Sequence, residues 1–86
     1  MPRPKILVAD DDPIFVVSVV SVLSTRYDVR TAANGTEVLA AVDDDPPDLI
    51  ILDVMMDHMS EGYDVARVLR RDDATALIPI IILTGV

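Results

Sequence analysis

The sequence predicts an α/β fold, a three-layer doubly wound parallel sheet with helices between successive strands. Three observations carry this expectation. Short runs of large aliphatics, centred on Ile6-Leu7-Val8, Leu49-Ile50-Ile51-Leu52 and Ile80-Ile81-Ile82-Leu83, have the pattern of strands covered on both faces. The stretches between them carry helix start and stop signals and helical spacing of apolar residues. Hydrophobic residues make up 51% of the chain but aromatics only 3%, so the core must be aliphatic, as in a buried parallel sheet. The 86 residues suffice for one small domain, and residues 1–86 are read as a single unit.

The first strand is Lys5-Ile6-Leu7-Val8-Ala9, followed at once by Asp10-Asp11-Asp12. Asp12-Pro13 reads as a helix start, with Asp as N-cap and Pro at the first helical position. The segment from Ile14 to Thr25 is rich in Val, and residue propensity alone favours a strand there. The cap, and Ser18, Ser21 and Thr25 lying along one helical face, predict a helix with a narrow polar stripe instead. Tyr27-Asp28-Val29-Arg30-Thr31-Ala32 alternates in character and reads as an edge strand. Asn34-Gly35 punctuates the chain, and Val38, Leu39 and Val42 give Thr36 to Val42 a helical face. Asp43-Asp44-Asp45-Pro46-Pro47 should break that helix. Acids at a helix carboxyl end oppose its dipole, so this run is expected to be a solvated loop rather than a metal site. The third strand is followed by a loop, Met56 to Gly62, and a helix from Tyr63 to Arg71 with Val65, Val68 and Leu69 on one face. Arg70 and Arg71 complement the dipole at its end. Asp72 to Ala76 reads as a linker, and Pro79 precedes the fourth strand. The order β-α-β-α-β-α-β implies a parallel sheet with right-handed crossovers.

Composition narrows function. A formal net charge of −8 argues against direct binding of nucleic acid or an anionic membrane. There is no cysteine, hence no disulfide or thiol chemistry. The amino-terminal residues lead straight into a strand and do not form a signal peptide, and no apolar stretch is long enough to span a bilayer. A soluble, cytoplasmic protein is expected.

The chemistry is at the strand ends. Asp53 closes the third aliphatic run, and an ionised carboxylate cannot sit unpaired in that core. It should lie at the carboxyl edge of the sheet, where open parallel sheets bind ligands. Asp10 and Asp11 follow the first strand in the same way. If the two strands are parallel neighbours, their acids converge and repel, and a hard divalent cation such as Mg²⁺ is the usual remedy. Asp12 is explained by its capping role. The sole histidine, His58, reads as plain loop surface, and Met55, Met56 and Met59 as fillers rather than a cofactor box.

With Asp10-Asp11 after the first strand, Asp53 after the third and Thr84 after the fourth, the chain resembles the receiver domain of bacterial two-component response regulators. The resemblance runs from Ile6 to Gly85. It implies strand order 2-1-3-4 for the strands present. It makes Asp53 the phosphoacceptor for a sensor histidine kinase or phosphotransfer protein. It gives the Mg²⁺ ligands as Asp10, Asp11, Asp53 and the backbone carbonyl of Met55, and makes Thr84 the hydroxyl that contacts the phosphoryl group and switches.

Two departures stand out. The family's Met-Pro-x-Met-Asp-Gly loop here reads Met56-Asp57-His58-Met59-Ser60-Glu61-Gly62. The family also continues through a helix, a fifth lysine-bearing strand and a last helix, whereas the only lysine here is Lys5, at the wrong end of the sheet. The chain is therefore expected to be a carboxyl-terminally truncated receiver with Ile80–Leu83 as an open edge, prone to homo-oligomerisation or domain swapping. The leading function is a phosphoacceptor signalling module, not an enzyme; the alternative is a phosphorylation-independent interaction module. An aspartyl phosphohydrolase fits poorly, because Met55 stands where such enzymes carry their general acid. A flavodoxin-like cofactor binder lacks a phosphate loop after the first strand.

Overall fold

The structure, a computed structural model, describes residues 3–53 and 61–83. Seven elements alternate: β1 (Lys5–Ala9), α1 (Pro13–Leu23), β2 (Asp28–Ala32), α2 (Gly35–Asp44), β3 (Leu49–Asp53), α3 (Glu61–Arg71) and β4 (Ile80–Leu83). The strands form one four-stranded sheet in the order β2-β1-β3-β4, all neighbours parallel. Both the α/β class and the strand order are as the sequence predicts.

The two central strands are the most apolar. Leu7, Val8, Ile50 and Leu52 are completely buried. Side chains alternate across a strand, and Leu7, Ala9, Ala32, Ile50 and Leu52 pack on one face with Val38 and Val42 of α2 and Val65 and Leu69 of α3. Ile6 and Val8, also buried, point to the other face, where α1 packs on β1 and β2. Helices therefore cover both faces of the central pair. Leu7 and Ile50 share a register position, so each supports the other's burial.

α1 forms despite its valines because its start is well made. Asp12 Oδ1 accepts from the Ile14 and Phe15 backbone N–H groups at 3.0 and 3.5 Å, and Pro13 opens the helix. Within it the Ser18 hydroxyl donates to the Ile14 carbonyl, and just past its end the Thr25 hydroxyl donates to that of Val22. No α1 residue is fully buried, and Ile14, Val17 and Val22 are exposed.

The structure corrects the reading of the second acidic run. Asp43 and Asp44 belong to α2, and only Asp45, its C-cap, leaves the helix. The dipole argument fails there because cations arrive from distant sequence. The Arg30 guanidinium, rising from β2, donates to the Ala41 and Asp45 carbonyls and lies 3.7 Å from an Asp44 oxygen. Lys5 Nζ donates to Asp45 Oδ1 at 2.8 Å, and the Lys5 backbone N–H to Asp48 Oδ2 at 2.7 Å. The amino-terminal edge of the sheet is thus tied to the α2–β3 connection. Residues 72–76 are likewise more than a linker. The buried Thr75 hydroxyl donates to the Leu69 carbonyl, and Arg70 donates to the Ala76 and Ile78 carbonyls. These bonds fold the segment back onto α3.

β4 pairs with β3 alone among the described strands. Ile81 and Ile82, pointing to opposite faces, are 49% and 39% exposed.

The Lys5–Asp45 pair gives a pH signature. The hydrogen bond from Lys5 holds the Asp45 carboxyl below its ordinary value of 3.8, and that bond with the Asp45 charge holds Lys5 above 10.5. The pair's contribution is present at neutral pH. It disappears as acid protonates Asp45 through its lowered value and as base deprotonates Lys5 through its raised one. Denaturant unfolding of the wild type and a Lys5→Met variant should therefore differ at neutral pH and converge at both extremes. Because the pair is solvent-screened, the gap should be small.

Candidate functional site

Parallel pairing of β1 and β3 builds the site. The register sets Ala9 beside Leu52, so the next residues, Asp10 and Asp53, leave the same edge of the sheet side by side. Asp11 follows in the turn to α1. One carboxylate oxygen from each of Asp10, Asp11 and Asp53 lies within 4.8 Å of the others. The three acids named from sequence are brought together. Thr84 and Met55, the remaining expected site residues, lie outside the described residues, as do Asp57 and His58.

The acids differ in surroundings. Asp10 is 9% exposed, Asp53 half-buried and Asp11 exposed. Asp10 is also the most firmly held. Its backbone N–H donates to the Ala32 carbonyl at 3.1 Å, prolonging the β1–β2 ladder, and its Oδ1 accepts from the Asp12 backbone N–H at 2.8 Å. Burial pushes the Asp10 carboxyl above the ordinary value; the Asp12 N–H opposes this, and the charges of Asp53 and Asp11 add to it. For Asp10, burial and the charges of Asp53 and Asp11 together disfavour the ionised form.

Hard oxygen donors, close enough to share one small cation, suit Mg²⁺. Among the described residues, Asp10, Asp11 and Asp53 would hold it. Asp12 is outside the cluster, its carboxylate engaged by the α1 backbone. Sequence reasoning missed Glu37, which walls a cavity of about 280 Å³ together with Asp10 and Asp11. Its carboxylate accepts from the Ala33 backbone and the Asn34 amide, while the Glu37 N–H donates to Asn34 Oδ1. This is a capping box fixing the β2–α2 turn, legible in the spacing Asn34-x-x-Glu37.

A family model described as the response regulator receiver domain matches residues 6–86. Curated relatives include the DNA-binding response regulator MtrA of Mycolicibacterium smegmatis, 41% identical over 84 residues. The DNA-binding dual master transcriptional regulator RpaA of Synechocystis is 40% identical, also over 84. These matches cover 96% and 95% of this chain but 35% and 34% of the relatives, so the chain spans about a third of their length. Among solved structures, the amino-terminal domain of a response regulator receiver protein from Methanoculleus marisnigri superposes with a TM-score of 0.89. It is 39% identical, with 96% of this chain and 68% of that one covered. The chemotaxis response regulator CheY4 of Vibrio cholerae gives 0.86 at 32% identity, covering 93% and 67%.

Metal binding should be visible in stability. With Mg²⁺ at 100 times its dissociation constant, the folded state gains about 2.7 kcal/mol and the melting temperature rises. Asp10→Asn should abolish that rise yet make the metal-free protein more stable at neutral pH. A carboxyl with a raised folded pKa costs stability when ionised, and the cost vanishes as acid protonates it. Thermal melts of both proteins with and without Mg²⁺, repeated on acidification, check both effects.

Proposed function

This chain belongs to the response regulator receiver domain family, and from that premise we propose that it is the phosphoacceptor module of a two-component phosphorelay. The observation that carries the reading is the meeting of Asp10, Asp11 and Asp53 at the carboxyl ends of β1 and β3. Asp53, last residue of β3 and half-buried, is the nucleophile. A carboxylate oxygen of Asp53 attacks the phosphorus of a phosphohistidine on a sensor kinase or phosphotransfer protein. The new O–P bond forms as the P–N bond breaks, and the electron pair leaves on the donor imidazole. Asp10 and Asp11 would hold the cation, and a Mg²⁺ ion there would offset the negative charge gathered between carboxylates and phosphoryl oxygens. The rigid β1–β3 ladder fixes the approach of Asp53, so little reorganisation precedes attack. Thr84, one residue beyond β4, is assigned the hydroxyl contact to the phosphoryl group, and the Met55 carbonyl a place among the metal ligands.

In a protein like the DNA-binding relatives, this acidic segment would supply the phosphoryl-dependent input in the cytoplasm and leave DNA contact to other sequence. Among the described residues no helix is long and apolar enough to cross a membrane.

The test is charging. Incubation with Mg²⁺ and a small phosphodonor should add one phosphoryl group by intact mass, and beryllofluoride should perturb amide signals around Asp53. Asp53→Asn and chelation of Mg²⁺ should each abolish both effects. A folded, Mg²⁺-binding sample that stays unmodified would overturn the phosphoacceptor reading.

The exposed isoleucines of β4 favour a second reading, association with another chain independent of phosphorylation. Ile81 and Ile82 expose apolar surface on opposite faces of a strand that pairs with β3 alone among the described strands. Sedimentation over a concentration series should then show self-association that Asp53→Asn leaves unchanged and Ile82→Lys weakens. Monomers throughout would remove this reading.

A further inference from the structure

The best-connected residue near the acids is one that does not join them. Asp12 makes two kinds of bond in opposite directions along the chain. Its backbone N–H donates to Asp10 Oδ1 at 2.8 Å. Its own Oδ1 accepts from Ile14 N at 3.0 Å and Phe15 N at 3.5 Å, which locks its backbone in the extended N-cap conformation, φ −88° and ψ 106°. The Val16 N–H completes the turn by donating to the Asp12 carbonyl at 3.0 Å.

These bonds form a chain from the helix to the cluster. Asp10 has one rotatable carboxylate, 9% exposed, and the Asp12 N–H engages one of its two oxygens. One Asp10 carboxylate oxygen lies within 4.8 Å of one from each of Asp11 and Asp53. The Asp12 N–H can hold that carboxylate only if its own peptide is fixed, and the bonds fixing it belong to the α1 cap. The other end of Asp10 is anchored separately, by the bond from its N–H to Ala32. Of the two anchors, only the Asp12 N–H reaches the carboxylate.

We propose that Asp12 is a positioning residue for the divalent-cation site, orienting the Asp10 carboxylate through its backbone N–H while its side chain, anchored on α1, holds that N–H in place. The inference rests on the metal-site reading above and adds to it a residue that touches neither metal nor phosphoryl group. It separates the charge of Asp12 from its shape. A neutral side chain that still caps α1 keeps the site intact, whereas a side chain that cannot cap loosens it. A long-range electrostatic role would instead weaken binding equally in both neutral variants.

The experiment is titration of the isotope-labelled chain with Mg²⁺, followed by amide NMR at a temperature where every variant is folded. Asp12→Asn, which retains a capping oxygen, should bind Mg²⁺ within about threefold of the wild type, the allowance for one exposed charge. Asp12→Ala should bind about tenfold more weakly, the usual scale for losing a group that orients a metal ligand. Asp12→Gly lacks the capping side chain at a smaller stability cost, and should fall on the Ala side, so the result does not hang on one variant. Thr75→Ala, which loses a buried hydrogen bond at the far edge of the sheet, should lower the melting temperature without changing Mg²⁺ affinity. In metal-free protein the amide proton of residue 12 should exchange faster in the Ala and Gly variants than in the wild type and Asp12→Asn. Equal affinity in the wild type, Asp12→Ala and Asp12→Gly would overturn the positioning role and leave the metal site standing. So would an Asp12→Asn loss as large as that of Ala. Absence of Mg²⁺ binding by the wild type would overturn the metal site and the positioning role together.

Discussion

Everything at the site depends on the parallel pairing of β1 with β3. Two strands without a polar side chain in their buried runs align so that Leu7 meets Ile50 and Ala9 meets Leu52. The same register that completes the core forces Asp10 and Asp53 out at one edge. The side-chain period of a strand is two, so a slip of one residue would put the buried set on the wrong face. Core and site are therefore specified by one alignment. The cost of gathering carboxylates is borne by apolar burial that cannot be satisfied in another register.

The two ends of the sheet treat charge in opposite ways. At the amino-terminal edge, acids and bases are matched: Lys5 with Asp45 and Asp48, Arg30 with the end of α2. At the carboxyl edge, the acids face each other, and Asp10 Oδ1 accepts from the Asp12 backbone N–H. The first arrangement stabilises the fold as it stands. The second gathers like charges at an electrostatic cost that a cation could relieve.

How much of this was legible in the sequence follows from the range of each interaction. β1, β3 and β4 were plain because uninterrupted aliphatic runs announce themselves locally. α1 was legible only because Asp12-Pro13 outweighed the strand propensity of its valines, a contest settled within three residues of the helix start. The end of α2 was misjudged because Arg30, which bonds its last carbonyls and lies beside Asp44, and Lys5, which holds the C-cap Asp45, come from elsewhere in the sequence. The capping box of Asn34 and Glu37 was present in the spacing, but Asn34-Gly35 also reads as simple turn punctuation. Asp10, Asp11 and Asp53 could be singled out because each stands where an aliphatic run stops, and the fold brings their carboxylates together. Their partners in space followed from strand order, which no local pattern contains.

The sheet order has a consequence for how the chain is made. β1 emerges first but occupies the middle of the sheet, and its clasp with the start of β3 joins residues 43 apart, Lys5 to Asp48. On a ribosome, the most apolar early strand waits with one flank bare until the third strand has been synthesised. Meanwhile α1, apolar nearly all round, has only part of its docking surface to rest on. Closing so long a loop slows the search for native pairing and lengthens the exposure of sticky intermediates. The acidic runs around these strands give the nascent chain a strong like charge, which keeps neighbouring copies apart during that wait.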